Sequence, residues 1–189
     1  GSFIKVAVAA ESFRPWRRRR YEVRINDQVL FRPNHARELL PYVEWAITWD
    51  VPRALPRFLQ LHAATLERDG VGVILPGASG NGKSTLTAAL VANGWQYLSD
   101  EFALIDTDSL HLHPYPRAIC IKESGYSVLH ELGINHTEDR NELAGPKGTV
   151  CLLNADRIRD DAVGQACPAR FIVFPKYSAG SQPALIPLS

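Results

Sequence analysis

The feature that most constrains the fold is a glycine-rich segment placed between an apolar run and a helical pattern. Residues 77–84 read GASGNGKS and fit the pattern G-x4-G-K-[ST] in full. The apolar run "VGVILP" precedes them, and "KSTLTAALVANG" follows, closed by the helix-capping pair Asn93-Gly94. This order predicts a strand that runs straight into a tight loop, which in turn opens a helix.

Such a loop has the chemistry of a phosphate cradle. Glycine lets successive backbone N–H groups turn inward around an anion, and the start of a helix adds free N–H donors and the positive end of the helix dipole. Lys83 would bridge the β- and γ-phosphates, and the Ser84 hydroxyl would help to hold Mg²⁺. A glycine-rich turn that only caps a helix is the alternative. We expect ATP to bind at the following residues: Gly77, Ala78, Ser79, Gly80, Asn81, Gly82, Lys83, Ser84 and Thr85.

Two acidic residues follow the predicted helix. Asp100 stands 17 positions after Lys83, at the end of the apolar pattern "WQYL", and Glu101 comes next. A carboxylate at this edge of a sheet can face a metal ion held by the loop of the adjacent strand. We therefore expect Ser84 and Asp100 to ligate Mg²⁺. A capping aspartate and a solvated glutamate that open a turn are the alternative.

Other nucleotide-binding classes fit the sequence less well. Transport ATPases place many more residues between loop and acid and carry an LSGGQ-type signature, which this chain lacks. The guanine-specifying NKxD motif is also absent, since "NADR" at Asn154 does not satisfy it. No base-reading motif is recognisable, so the sequence alone does not settle ATP over GTP.

Strand patterns outnumber helical ones, which predicts an α/β fold built on a mixed β-sheet. Turn signals predict hairpins at Asn26-Asp27 and at Asp69-Gly70. One helix is predicted from Pro41 to Asp50, because Pro52 should stop it. Further strands are predicted in "FLQLHAATLER", "WQYLSDEFALID", "LHLHPYPRAICIK", "GTVCLLN" and "RFIVFPKY".

The chain divides into two predicted parts. Residues 1–36 form a small N-terminal β-rich segment, and residues 37–189 form the catalytic domain. Residues 124–146 are polar and predict a helix with a loop. The last residues resemble a strand edge, so we expect the natural chain to continue beyond them.

Composition restricts the partners and the location. The net charge of +1 gives no overall attraction to nucleic acid or to a membrane surface, and no apolar run approaches the roughly 18 residues of a membrane span. The three cysteines are odd in number and lack CxxC spacing, which argues against a disulfide framework and a zinc site. We expect a cytoplasmic protein.

One local concentration of charge is the run "RPWRRRR" at residues 14–20. It could contact RNA or an acidic peptide, or it could be a solvated edge strand whose cations discourage edge pairing. The rest of the chain has no RNA-binding motif. The second interpretation is therefore favoured, and no nucleic-acid partner is expected.

The motifs together resemble the catalytic domain of HPr kinase/phosphorylase. The shared layout is Leu61-His62-Ala63, the Asp69-Gly70 turn, the loop 77–84, the Asn93-Gly94 cap and the pair Asp100-Glu101. Several segments are similar to the HPr-kinase-related kinase A group: "VEWAITWD", "LHAATLERDG", "GWQYLSDEFALID", "YPRAICIK", "GTV" and "FIVFPKY". The resemblance covers roughly residues 42–189. It implies a P-loop kinase domain of the HPr kinase / PEP carboxykinase-like type, and a homo-oligomer.

The resemblance also implies roles for particular residues. Lys83 and Asp100 would be catalytic, with Asp100 serving both the metal and the acceptance of the hydroxyl proton. Glu101 would be a second metal contact or a proton relay, and the His62 imidazole would reach the γ-phosphate or the acids. Arg117 is a candidate for neutralising the transferred group. Lys122 is a weaker candidate for the same role, and a solvated cation is the alternative for both Arg117 and Lys122. Lys147 is a weak candidate for phosphate contact.

Departures from the family pattern restrict the reaction. Glu101 stands where the family has a second aspartate, and Ala63 where it has glycine. The family's "LEIRGLG" segment has no clear counterpart, which argues against the reverse phosphorolysis and against HPr as the substrate. The expected acceptor is a serine hydroxyl of a peptide or protein, or a small hydroxyl compound. A shikimate-type metabolite kinase and a nucleotide-binding module without transfer remain alternatives.

Overall fold

The computed structural model describes residues 4–9, 20–134, 142–145 and 148–188. The described residues form thirteen strands in three sheets, with four α-helices. The strands are β1 Ile4–Ala9, β2 Arg20–Ile25, β3 Gln28–Phe31, β4 Phe58–Leu61, β5 Ala63–Arg68, β6 Val71–Pro76, β7 Gln96–Ser99, β8 Ala103–Asp106, β9 His111–His113, β10 Ile119–Lys122, β11 Glu142–Gly145, β12 Gly148–Leu153 and β13 Cys167–Ile172. The helices are α1 Leu39–Ala54, α2 Lys83–Ala92, α3 Tyr126–Glu131 and α4 Ala155–Ile158. Short 3-10 turns precede α1 and α3, at Ala36–Glu38 and Glu123–Gly125.

The largest sheet has seven strands in the order β4-β8-β9-β13-β6-β5-β7. Strands β13 and β6 are parallel, whereas the other neighbours in this sheet are antiparallel. The prediction of an α/β fold with a mixed sheet is therefore confirmed. Strand β6 lies inside this sheet between β13 and β5, so the glycine-rich loop that follows it has neighbours on both sides.

At His62 the chain crosses from one end of the large sheet to near the other end. The segment 58–68 was predicted as one strand, but it is two: β4 pairs with β8, whereas β5 pairs with β6 and β7. A single residue joins β4 to β5, although they lie five places apart in the strand order. The prediction of one strand is wrong because the chain changes its pairing partners at His62. Residues of this sheet form one buried apolar cluster: Ala63, Ile74, Leu98, Ala103, Ile105, Leu112 and Cys167.

A second apolar core supports the helix that follows the loop. Ala88 and Val91 of α2 are fully buried, together with Ile119 and Ile121 of β10. Strand β10 pairs with β12, which pairs with β11 to form a three-stranded antiparallel sheet. Helix α2 is thus fixed between the large sheet and this smaller one. Strand β11 and helix α3 lie in the region predicted as helix and loop, so the helix is observed and the strand was missed.

The N-terminal sheet packs on α1. Its hairpin turns at Asn26 and Asp27, both with positive φ, as the sequence predicts. The ring of Phe31 lies 5.1 Å from that of Tyr42 and 6.0 Å from that of Trp45, both on α1. The division of the chain at residue 36 remains a prediction. Of the arginine run, Arg20 begins β2, the central strand of this sheet. Residues 14–19 lie outside the described part of the chain, so the solvated edge strand expected for the run stays a prediction.

Helix α1 is longer than predicted. Pro41 lies in its first turn, where its missing N–H costs nothing, as expected. Pro52 does not stop the helix, which continues to Ala54. This prediction is wrong because Pro52 falls in the last turn, where only one intrahelical hydrogen bond is lost.

Candidate nucleotide-binding site

The glycine-rich loop has the predicted position between a strand and a helix. Strand β6 ends at Pro76 and α2 begins at Lys83. Gly80 and Gly82 have φ values of 97° and 81°, in the left-handed region where a side chain is strained. Gly82 is the residue that caps the start of α2, and it has no side chain to occupy the free N–H groups there. Those donors are available to an anion.

A hydrogen bond connects the loop to the acid after β7. The Ser84 hydroxyl donates to Asp100 Oδ2 at 2.8 Å, and the backbone N–H of Cys120 donates to the same oxygen at 3.4 Å. The Ser99 hydroxyl accepts from the backbone N–H groups of Glu101 and Phe102, which turns the chain at Asp100. This local turn directs the carboxylate back toward the start of α2.

The Asp100 carboxyl group is buried, with 5% of the residue exposed. Burial raises the pKa of Asp100 to about 7, although the Ser84 hydrogen bond and the charge of Lys83 act in the opposite direction. Its second oxygen, Oδ1, is buried without a hydrogen-bond partner. An unpaired buried carboxylate oxygen is costly, so a cation at this point would stabilise the site.

The residues at Asp100 fit a magnesium ion. Mg²⁺ prefers oxygen ligands and usually takes one or two from the protein, with phosphates and water supplying the rest. Asp100 Oδ1 and the lone pairs of the Ser84 hydroxyl are such ligands. No group of three or more His, Cys, Asp or Glu side chains with metal-binding geometry occurs among the described residues. The described residues therefore offer two oxygen ligands at this point and no cage of three or more such side chains.

His62 and Lys83 meet at the mouth of the loop. Lys83 Nζ lies 3.4 Å from His62 Nε2, and His62 Nδ1 lies 3.1 Å from the backbone oxygen of Glu101. The carbonyl can only accept, so Nδ1 carries the proton, and Nε2 accepts from the lysine ammonium. The Glu101 carboxylate lies 3.6 Å from the same Nδ1. The structure thus brings Lys83, His62 and the pair Asp100-Glu101 together on one side of the loop.

The two predicted cations near β10 have different surroundings. The Arg117 guanidinium forms an ion pair with Glu44 of α1 and donates to Thr48 Oγ1, so the structure does not bring it into the cluster. Lys122 Nζ instead donates to Ser79 Oγ in the loop at 2.8 Å. The sequence favoured Arg117 over Lys122 as the cation near the transferred phosphate group, whereas the observed contacts place Lys122, and not Arg117, beside the loop. Lys147 lies outside the described residues.

Two further contacts of the loop were not predicted. A Cβ on Gly125 would lie 2.6 Å from Thr85 Oγ1, so the first turn of α2 packs closely against the start of α3. The segment after β13 passes the loop, where the Tyr177 backbone N–H donates to the Asn81 carbonyl at 3.3 Å. Both contacts join residues far apart in the chain, and no local sequence signal indicates them.

Comparisons with known proteins add a partial match. The family model described as "SynChlorMet cassette protein ScmC" matches residues 48–132, a segment that contains His62, the loop and both acids. This match does not confirm the HPr-kinase-related kinase A group, so that resemblance stays a prediction. No curated protein matches the chain.

One similar solved structure is the "Hpr(Ser) kinase/phosphatase from Coxiella burnetii". The identity is 18% and the TM-score 0.37, with 60% of this chain and 63% of that chain covered. The chain therefore spans less than two thirds of the length of that protein.

Two general predictions have a structural counterpart. The three cysteines all lie within the described residues and form no disulfide. Among the described helices, none has the length and apolar character required to span a membrane. The cytoplasmic location and the homo-oligomer stay predictions.

Proposed function

We propose that this protein transfers the terminal phosphoryl group of Mg²⁺-ATP to a hydroxyl group. The supporting observation is the convergence of Lys83, His62 and Asp100 at the mouth of the glycine-rich loop. Phosphoryl transfer depends mainly on positioning and on stabilisation of charge. The cluster offers a fixed ammonium, a fixed carboxylate and groups that can take up a proton, all beside a phosphate cradle.

The position of the Lys83 ammonium is already fixed in the protein without a nucleotide. The residue is only 9% exposed, and its ammonium donates to the His62 ring. A buried, hydrogen-bonded lysine loses little further side-chain entropy when it contacts a phosphate. In the proposed complex Lys83 and the N–H groups at the start of α2 hold the outer phosphates.

Ser84 and Asp100 are the proposed ligands of the metal. The Ser84 hydroxyl and Asp100 Oδ1 would hold Mg²⁺, which when bound would supply neutralisation of the charge that develops on the outer phosphates. The Ser84 hydrogen bond fixes one Asp100 oxygen, and the other is buried without a hydrogen-bond partner. Because Asp100 is buried, an acceptor molecule cannot easily reach it, which supports the metal role more than the role of base.

Glu101 and His62 stand on the open side of the cluster. Their side chains are 37% and 59% exposed. In the proposal the Glu101 carboxylate accepts the proton of the attacking hydroxyl, and His62 holds both Lys83 and the turn at Glu101 in place. His62 is accordingly a positioning residue, whose loss would loosen the ammonium and the acid together.

The proposed acceptor is a serine hydroxyl of a peptide or protein, or a small hydroxyl compound. This part rests on the sequence resemblance to HPr kinase/phosphorylase. The lack of a clear counterpart to the family's "LEIRGLG" segment argues against HPr itself as the acceptor. The nucleotide is proposed to be ATP on the same ground.

The test is transfer of label from γ-labelled ATP to a pool of peptides and metabolites from the source cells. The wild-type protein should label an acceptor in the presence of Mg²⁺, and Lys83→Ala should label none. Asp108→Ala, which removes an exposed acid in the turn after β8, is the matched control and should behave as wild type. Tight nucleotide binding without label in any acceptor would overturn the proposal and favour a nucleotide-binding module.

A further inference from the structure

The chain after β13 is positioned to meet a bound nucleotide. Because β13 and β6 are parallel, both strands end at the same edge of the sheet. Their pairing continues to Val173, whose N–H donates to the Ile74 carbonyl at 2.9 Å. The next residues therefore run beside the glycine-rich loop, and a Cβ on Gly77 would lie 3.6 Å from Pro175 Cγ.

The strand order puts this segment and the acids on opposite sides of the loop. Strand β6 lies between β13 on one side and β5 with β7 on the other. His62 precedes β5 and Asp100 follows β7, so both flank the loop on the β5 side. A nucleotide whose terminal phosphate faces Lys83 and Asp100 therefore extends its ribose and base toward the β13 side.

Tyr177 stands on that side, with its backbone fixed and its ring free. The backbone N–H donates to Asn81, and a Cβ on Gly82 would lie 3.3 Å from the Tyr177 Cβ. The residue is nonetheless 71% exposed, so the ring is not used to fill a core. An exposed aromatic face on a fixed backbone is the usual platform for a nucleic-acid base.

We propose that Tyr177 is the platform on which the base of the bound nucleotide stacks. The inference rests on the proposed function, because it assumes that the loop binds a nucleoside triphosphate. Every base has a π-face, so stacking alone tolerates different bases. This agrees with the absence of a recognisable base-reading motif in the sequence, and ATP and GTP should depend on Tyr177 to a similar degree.

The experiment compares two ligands that share the phosphates and differ in the base. β,γ-Imido-ATP and inorganic tripolyphosphate, each with Mg²⁺, are titrated by calorimetry into the full chain. Tyr177→Ala should weaken binding of the nucleotide analogue about tenfold or more, equivalent to about 1.4 kcal/mol. It should leave tripolyphosphate binding unchanged, and Tyr177→Phe should restore the nucleotide affinity.

A matched control uses another exposed aromatic residue. Phe171 is 60% exposed on β13, paired with Val73 and so set back from the loop. Phe171→Ala should bind both ligands as wild type does. An equal loss of both ligands in Tyr177→Ala would overturn the inference, because Tyr177 would then act on the shape of the loop.

An unchanged nucleotide affinity in Tyr177→Ala would overturn it as well. Failure of the proposed function gives a different result. If the wild-type protein binds neither ligand, the phosphate cradle itself is absent, whatever the residue at position 177. If the wild-type protein binds both ligands and Tyr177→Ala shows no selective loss of nucleotide affinity, the nucleotide site remains and the base stacks elsewhere.

Discussion

The Ser84 hydroxyl is hydrogen-bonded to Asp100 Oδ2 at 2.8 Å, across 16 positions of the chain. This contact links the first turn of α2 to the end of β7, and it joins the two residues that we propose to hold the metal. The partner oxygen, Asp100 Oδ1, is buried and has no hydrogen-bond donor. The Ser84 hydroxyl thus fixes one oxygen of the carboxylate, while the other has no donor and is the oxygen that we propose for the metal.

Removal of this hydroxyl should weaken binding of the metal at the site. Ser84→Ala leaves Asp100 Oδ2 with only the Cys120 N–H, and hydrogen bonds to charged groups contribute about 1.5–3 kcal/mol. We expect the Mg²⁺ concentration for half-maximal nucleotide binding to rise about tenfold or more. Ser84→Thr keeps the hydroxyl and should stay close to wild type. An unchanged Mg²⁺ dependence in Ser84→Ala would contradict the assignment.

Asp100→Asn should separate binding from transfer. The amide keeps the size of the side chain but loses the charge that would hold the metal, so transfer should fall by about 10²–10³-fold, the usual cost of removing one electrostatic contact to a transition state. Tripolyphosphate binding through the loop N–H groups should persist. Calorimetry and the label-transfer assay measure the two properties, and a full transfer rate in purified Asp100→Asn would rule out our assignment of this residue.

The raised pKa of Asp100 predicts a specific pH dependence. In the folded protein this pKa is about 7, against 3.8 as the ordinary value. Between these two pH values the folded state binds more protons than the unfolded state, so the free energy of unfolding falls as pH rises from about 4 to 7. The melting temperature of the ligand-free wild type should therefore fall over this pH range, relative to that of Asp100→Asn, which lacks the titrating group.

Binding of the metal should also reveal the ionisation of Asp100. A magnesium ion favours the charged carboxylate, so binding below pH 7 should release a proton from Asp100. Calorimetry in buffers of different ionisation enthalpy measures that release. Asp100→Asn should not release this proton on binding Mg²⁺. An equal release in both proteins would show that another group titrates.

The local signals in the sequence were sufficient for the loop and its helix. The spacing of glycines, Lys83 and Ser84, with Asn93-Gly94 at the end, gave α2 and its position after β6. The hairpins at Asn26-Asp27 and Asp69-Gly70 were predictable for the same reason, because a positive φ at neighbouring residues is encoded by those residues themselves.

Features that depend on distant partners were not predictable. The break at His62 arises because β4 and β5 select different neighbours, which no property of "LQLHAA" indicates. The position of Tyr177 depends on β13 pairing in parallel with β6, and the paired residues are 97 or 98 positions apart in the chain. The roles of Arg117 and Lys122 were exchanged for a similar reason. Both flank "AICI", and only the fold decides which one meets Glu44 of α1.

Arg117 and Lys122 should therefore respond differently to truncation. Arg117→Ala leaves the Glu44 carboxylate, which is 28% exposed, without its ion pair, and should lower the free energy of unfolding by about 2 kcal/mol. Its nucleotide affinity should stay at the wild-type value. Lys122→Ala removes a partly exposed cation that contacts Ser79 in the loop, so its stability should be unchanged and its affinity for Mg²⁺-ATP should fall. Chemical denaturation and calorimetry on the two variants make the comparison. The opposite pattern, with affinity lost in Arg117→Ala and stability lost in Lys122→Ala, would restore Arg117 to the site and remove Lys122 from it.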